Sequence, residues 1–299
     1  MQDNRTVKIL AVVVTFNPNP AVLETLLNAL QPQVDFIVVI DNNSSSEVQL
    51  PNIHNLMFIT NSQNQGVAYA YNQGIALAQQ QDASHVLLFD QDSCPAPDMV
   101  KHLKNAFIKY DNHQLAAVGP KYTDIKGQEK SPFVALRGLG LTRVECADNQ
   151  QVDVDHLISS GCLLSRKAIE QIGLFEDQLF IDYVDTEWCW RAKRKGFRLL
   201  GVGAAKMQHD LGDTHFMAFG KPRVLHASFR LYYQMRNQWW MILQPWVGWR
   251  WRVMDIIRSI KIFAAISIYA PHRFEYIRHM SKGIYDAFRS NMGKLKTDQ

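Results

Sequence analysis

The sequence predicts an α/β fold: a mostly parallel sheet flanked by helices, followed by a helical extension. Three observations carry this. The first 120 or so residues alternate short apolar runs with stretches of helical period, the signature of a parallel sheet with crossover helices. The first run, VKILAVVVT at 7–15, is β-branched and nearly continuous, as a strand buried on both faces must be. From about Pro222 the chain changes to long helical segments separated by prolines.

In chain order, the strand at 7–15 is stopped by Asn17-Pro18-Asn19-Pro20, and 21–30 reads as the first helix. Strands follow at 36–40, ending in Asp41-Asn42-Asn43-Ser44, and at 56–60. Residues 66–81 space Ala68, Tyr71, Ile75 and Ala78 along one helical face. A fourth strand at 85–89 ends abruptly in Asp90-Gln91-Asp92, and Pro95 and Pro97 open a helix that runs through Lys109. A strand at 115–118 precedes a Gly-, Lys- and Asp-rich region, 120–155, that reads as loop or irregular hairpin. Beyond it lie a strand at 157–165, a short helix at 167–172 closed by Gly173, a helix at 185–195 with Gly196 just past its end, and a strand at 197–202. Helices are expected at 223–243, 247–269 and 273–292, broken at Pro245 and Pro271. The domain division this implies is 1–221 for the α/β body and 222–299 for the extension.

A chain of 299 residues with 47% hydrophobic and 20% charged residues can bury a large core, which excludes a disordered, collagen-like or disulfide-stapled chain. The four cysteines, Cys94, Cys146, Cys162 and Cys189, form no CxxC pair, so reduced thiols and a cytoplasmic setting are expected, with Cys162 and Cys189 as small core residues. The opening MQDNRTVKIL turns straight into a strand and does not read as a signal peptide, and no stretch of eighteen apolar residues offers a spanning helix.

The net charge of +4 hides an asymmetry: from Phe216 onward 14 Lys+Arg face only 4 Asp+Glu. Five of the seven tryptophans fall between Trp239 and Trp251, with Arg250 and Arg252 interleaved. Basic charge beside tryptophan points to an anionic membrane surface rather than to nucleic acid, for which the tail has no motif. The alternatives are helices packed on the body or a homodimer contact.

In an open parallel sheet, ligands bind beyond the carboxyl ends of the strands. Three of the first four strands end in polar groups suited to a nucleotide: Thr15-Phe16-Asn17, Asp41-Asn42-Asn43 and Asp90-Gln91-Asp92. Neither GxGxxG nor GxxxxGK[ST] is present, which removes dinucleotide and P-loop readings. Carboxylates at i and i+2 after a strand can converge on one hard cation such as Mg²⁺ or Mn²⁺.

Six segments in order, VVVTFNP (12–18), VIDNNS (39–44), NQGVAYAYNQG (64–74), LLFDQDS (87–93), SSGCLLSR (159–166) and FIDYVDTEWCWRAKRKGF (180–197), resemble inverting nucleotide-sugar glycosyltransferases of family 2. These have the Rossmann-like GT-A fold. Within the family the chain is most similar to bacterial rhamnosyltransferases of cell-surface polysaccharide, such as the O-antigen of lipopolysaccharide. The resemblance implies a nucleotide-sugar donor, dTDP-L-rhamnose, and a lipid-linked oligosaccharide acceptor reached from the cytoplasmic face of the membrane. It implies that Thr15, Phe16 and Asn17 border the base and ribose, that Asp41 accepts the imide N–H of a pyrimidine, and that Asn64 and Gly66 lie near the base and ribose. Asp90 would hold metal and ribose, Asp92 and His209 the metal, and Asp185 would be the catalytic base with Glu187 as the alternative. The family pattern has Glu where this chain has Val184, which leaves the partners of the base open. Arg236, in the run Arg230, Tyr232, Tyr233, Arg236, Asn237, would engage the diphosphate, or else form a surface ion pair. Two other readings compete: a UDP-hexose donor on the same fold, and a non-catalytic nucleotide-sugar binder docked on membranes.

Overall fold

The protein is described by a computed structural model that covers residues 7–110, 114–124, 133–138, 140–209 and 214–295. Its centre is β1 (Ile9–Thr15), buried along its whole length between two parallel neighbours, β2 (Phe36–Asp41) and β4 (His85–Asp90). A third parallel strand, β3 (Leu56–Thr60), completes that side of the sheet. The alternation of side chains along β1 divides the core: Leu10, Val12 and Val14 face one apolar layer, and Ile9, Ala11 and Val13 the other.

Helices cover both faces. On one, α1 (Pro20–Leu30) starts with proline after Asn19, whose side chain accepts from the Ala21 N–H, and buries Leu23, Leu26, Leu27 and Leu30. Each such leucine contributes roughly 1.5–3 kcal/mol of burial free energy. Helix α2 (Val67–Gln80) packs on the opposite face, against Val12.

The other half of the sheet is mixed. After β5 (Ser93–Pro95) and α3 (Met99–Lys109), β6 (Leu115–Asp124) runs parallel to a long strand that comes later, β11 (Arg198–His209). Between these two in sequence lie the hairpin β7 (Phe133–Arg137)–β8 (Gly140–Val144), β9 (Gln151–Val154), β10 (Leu163–Ser165), α4 (Arg166–Ile172) and α5 (Val184–Arg194). The sheet order is β3-β2-β1-β4-β10-β6-β11-β5, with β10 antiparallel to both its neighbours and β9 paired to β11.

Three local expectations are corrected. The region 120–155 contains, besides the expected hairpin, a strand of the main sheet, β9. Of 157–165 only Leu163–Ser165 is strand, because Ser159–Gly161 turns sharply, with Gly161 at φ 77°. Residues 214–225 form a second hairpin, β12 (Thr214–Ala218) and β13 (Lys221–Leu225), turned at Phe219-Gly220 with φ of 51° and 72°. Pro222 is tolerated there because a two-stranded ribbon has free edges. The first long helix therefore begins at Ser228.

The C-terminal helices α6 (Ser228–Leu243), α7 (Trp249–Tyr269) and α8 (Arg273–Phe288) share a small core of Leu231, Met235, Ile266 and Met280. They also pack on the α/β body: the Trp251 ring lies 4.4 Å from that of Trp190 on α5, and Tyr183 donates to Asp255 at 3.4 Å. The tryptophan cluster is thus not the exposed surface that composition pointed to. Trp251 is buried, Trp239 donates to Ser259, and Trp249 alone of the five is exposed. What α7 shows to the outside is instead a stripe of Trp249, Val253, Ile257, Ile260 and Ile268 flanked by Arg250, Arg258 and Lys261. No helix among the described residues is long and apolar enough to cross a membrane.

Candidate active site

The register of the parallel strands gathers the polar strand ends. Thr15 stands opposite Asp41, and Val14 opposite Asp90, so three strands deliver these groups to one edge. Asp41 is buried and accepts from Thr15 Oγ1 at 2.9 Å, from Ser44 Oγ at 2.5 Å and from the Ser44 N–H at 2.8 Å. A carboxylate has about four acceptor positions, so one remains for a ligand donor. Asn17, at φ 49°, accepts from the Ser45 N–H, and Phe16 is tied through its backbone to the Gln91 amide while its ring stays exposed.

Asn64 accepts from the Gly66 N–H at 3.0 Å, which shapes the turn into α2. Gly66 has φ 91°, and a Cβ there would sit 2.4 Å from the Phe180 carbonyl oxygen, so both the backbone angle and the space demand glycine. The Val67 N–H donates to that carbonyl at 2.7 Å, which joins the nucleotide-side turn to the loop before α5.

Asp90, Asp92 and His209 come together at the same edge, with one ligand atom from each within 4.8 Å of the others. The sheet explains this. Antiparallel pairing of β11 with β5 puts His209 opposite Ser93, beside the Asp-x-Asp turn. Ser93 Oγ contacts His209 Nδ1 at 2.8 Å and Ser160 Oγ at 2.6 Å, and Ser160 accepts from the Asp90 N–H. Tyr71 on α2 donates its hydroxyl to Asp90 Oδ1 at 2.5 Å. Burial, and after it the neighbouring Asp92, push the Asp90 carboxyl above its ordinary range. Asp92 Oδ1 is buried and lies 3.2 Å from His209 Nδ1. Two crowded carboxylates and an imidazole are a donor set that fits Mg²⁺ or Mn²⁺.

Asp185 lies in the first turn of α5, where the helix dipole favours acids. The chain enters that turn through Phe180, Asp182 and Tyr183, all three at φ between 61° and 65°. Oδ1 of Asp185 accepts from the Thr186 N–H at 2.7 Å, and His156 Nε2 lies 3.5 Å from the same oxygen. Burial raises the Asp185 carboxyl, but the adjacent His156 and backbone donors at Thr186 and Ser159 outweigh it and hold the group below its ordinary range.

Two expected residues stand apart. Glu187 is buried and forked by Arg191, at 2.7 and 2.6 Å, so both its oxygens are engaged inside the protein and it is not placed as a base. Arg236 is fully buried, which excludes a surface ion pair, and its guanidinium is spent on the protein's own carbonyls. It donates to the carbonyls of Gly293, Gln178 and Leu179, while Asn237 donates to those of Leu179, Ile181 and Asp182. Together they clamp the left-handed loop that leads to Asp185. Tyr71 and His156 are the site residues that sequence reasoning missed. The helical period puts Tyr71 on the buried face of its helix without marking it as a site residue, and nothing in the pattern around His156 marks it.

Residues 10–173 match the family model described as Glycosyl transferase family 2. Over 294 residues the chain is 29% identical to dTDP-rhamnosyl transferase RfbF of Shigella flexneri, covering 95% of this chain and 97% of that protein. It is 24% identical over 229 residues to the low-salt glycan biosynthesis hexosyltransferase Agl10 of Haloferax volcanii, covering 72% of this chain and 69% of that one. Among solved structures, GalNAc-T7 with UDP, GalNAc and Mn²⁺ superposes with a TM-score of 0.61 at 14% identity, over 96% of this chain and 57% of that chain. Staphylococcus aureus TarS superposes at 0.52 with 17% identity, over 87% of this chain and 44% of that chain. Both likenesses are of fold, and this chain spans only about half of each of those two structures.

Proposed function

Since the chain belongs to glycosyl transferase family 2, we propose that it is an inverting, metal-dependent transferase that moves L-rhamnose from dTDP-L-rhamnose to a lipid-linked oligosaccharide of bacterial cell-surface polysaccharide. The observation that carries the reading is the convergence of Asp41 and the Asp90–Asp92–His209 triad at one edge of the sheet, with Asp185 at the start of α5 near enough to raise the Asp90 carboxyl. The donor is argued from the relative aligned over nearly the full length of both chains, which is named a dTDP-rhamnosyl transferase.

In this reading Asp41 accepts the imide N–H that thymine and uracil share and cytosine lacks, with Phe16, Thr15, Asn17 and the Asn64–Gly66 turn around base and ribose. Asp90, Asp92 and His209 would hold a divalent cation, whose chemistry is to neutralise the charge that builds on the departing diphosphate. Asp185 takes the acceptor hydroxyl proton as that oxygen attacks the anomeric carbon from the face opposite the leaving group. One displacement inverts the centre.

Residues 1–221 would supply this chemistry, and 222–299 would dock it on the cytoplasmic face of an anionic membrane, where a lipid-linked acceptor resides. Support comes from the apolar stripe of α7 and its flanking Arg250, Arg258 and Lys261. The test of donor choice is turnover of a panel of sugar nucleotides with Mg²⁺ or Mn²⁺. Consumption of dTDP-L-rhamnose above UDP-hexoses supports the assignment, and preference for a UDP-hexose replaces it. Binding of all donors with no turnover would make the protein a sensor.

A further inference from the structure

We propose that His156 is a positioning residue for Asp185: it holds one carboxylate oxygen so that the other is presented to the acceptor hydroxyl. The inference rests on the reading of Asp185 as base. The segment that carries His156 is fastened on two sides. Its backbone bridges Val134 of β7, and the preceding Asp155 accepts from the Leu136 N–H and pairs with Lys193 of α5 at 3.0 Å. On the other side, the Leu157 N–H lies 3.5 Å from Cys189 Sγ of α5, whose thiol points back to the Leu157 carbonyl. His156 is therefore fixed against the helix that bears Asp185, and its Nε2 stands 3.5 Å from Oδ1. Contacts of this length in a ligand-free site commonly tighten when substrate binds.

His156 also borders a cavity. The space, of about 180 Å³, is lined by Gly119, Pro120, Tyr122, Phe133, Val134 and His156, among others. Tyr122 meets His209 edge-on at 5.9 Å. The groups facing Asp185 are His156 from the loop after β9, Asp90 from the end of β4, Tyr71 from α2, and the thiols of Cys162 and Cys189. Burial raises the Asp185 carboxyl, and His156 is the strongest influence holding it down. In the step itself the acceptor O–H proton passes to Asp185 and the new C–O bond forms. The bond to the diphosphate breaks with its electron pair leaving on the nucleoside diphosphate.

The test compares His156→Ala, His156→Gln and Asp185→Asn in Mn²⁺-dependent hydrolysis of dTDP-L-rhamnose, where water takes the acceptor's place. His156→Ala should lower kcat about tenfold or more while KM for the donor stays within about twofold, as expected for an outer partner of a reacting group. Its acid limb should move to higher pH, because a carboxyl freed from His156 protonates sooner, and Gln, which keeps an N–H at the same reach, should restore most of kcat. In the Asp185→Asn background the Ala change should cost nothing further. Unchanged kcat and acid limb in His156→Ala, with Asp185→Asn inactive, overturn this inference alone; an active Asp185→Asn overturns the base assignment. Should this donor not turn over, the ¹³C carboxyl titration of Asp185 decides: an upward move in His156→Ala supports the pairing, and no move refutes it.

Discussion

The Tyr71 hydroxyl and Asp90 Oδ1 are 2.5 Å apart, the phenol donating from the buried face of α2 to a carboxylate of the candidate metal triad. The bond lowers the Asp90 carboxyl against the larger upward push of burial and of Asp92. Tyr71→Phe removes it without changing shape. The expected result is Mn²⁺ affinity about 10–100-fold weaker, as for other outer partners of metal ligands, with the loss growing as pH falls. Mn²⁺ titration followed by EPR, with circular dichroism to confirm the fold, measures it. Unchanged affinity would separate Asp90 from the cation site.

Asp185 and Glu187 should fail in different ways. Asp185→Asn is expected to lower turnover by about 10²–10⁴, typical for loss of a general base, with dTDP binding and melting temperature little changed. Glu187→Ala leaves the Arg191 fork unanswered and should cost roughly 2–3 kcal/mol of stability, less than for a fully buried pair because Arg191 also reaches the Ile172 and Leu174 carbonyls. Urea unfolding and steady-state rates on the two variants check this. A Glu187 variant that is stable but dead would move the base by two residues.

How much of this was legible in the chain depends on the range of the interaction. The strands β1, β2 and β4 announce themselves because burial on both faces requires unbroken apolar runs, and Asp90-x-Asp92 is visible because both carboxylates lie in one turn. The GT-A-like sheet and its helical extension follow from those patterns and from the family segments. The hairpin at 214–225 was hidden because a two-stranded ribbon outside the main sheet needs little hydrophobic alternation. The roles of Arg236 and Asn237 were also hidden. Their partners are backbone carbonyls more than fifty residues away, in the loop before α5 and at Gly293, which no local pattern encodes. His156 escaped for the same reason: its meaning is its distance from Asp185.

Asp255 gives a pH signature in stability. It is completely buried on α7, with Oδ1 lacking a hydrogen-bond partner, and burial, opposed by Arg258, raises its carboxyl from 3.8 to about 6. A raised acid binds its proton more tightly when folded. Stability is therefore full below the unfolded value, falls as pH climbs from about 4 to about 6, and stays reduced above, by roughly 3 kcal/mol. Asp255→Asn removes that dependence. Its urea midpoint should exceed wild type at pH 7.5 and match it near pH 4. A variant less stable than wild type at pH 7.5 would mean that the ionised carboxylate is a favourable partner for Arg258.

The outer stripe of α7 should determine membrane binding, since the tryptophans proper are largely packed away. Vesicles rich in phosphatidylglycerol are expected to float the protein at low salt, with about 1 kcal/mol lost for each of Arg250, Arg258 and Lys261 neutralised. Ile257→Asp with Ile260→Asp should release it altogether. Protein that ignores the vesicles yet sediments as a dimer, and becomes monomeric in the same double variant, would make this face a subunit contact.

The most direct test of the central claim is real-time ¹H NMR of dTDP-L-rhamnose turnover, read at the anomeric proton of the first product formed. A metal held by Asp90, Asp92 and His209 and a base at Asp185 predict product of the opposite anomeric configuration. Its formation should stop in excess chelator, return with Mn²⁺ or Mg²⁺, and be absent in Asp92→Ala. Product of retained configuration, or full turnover in chelator and in Asp92→Ala, would contradict it.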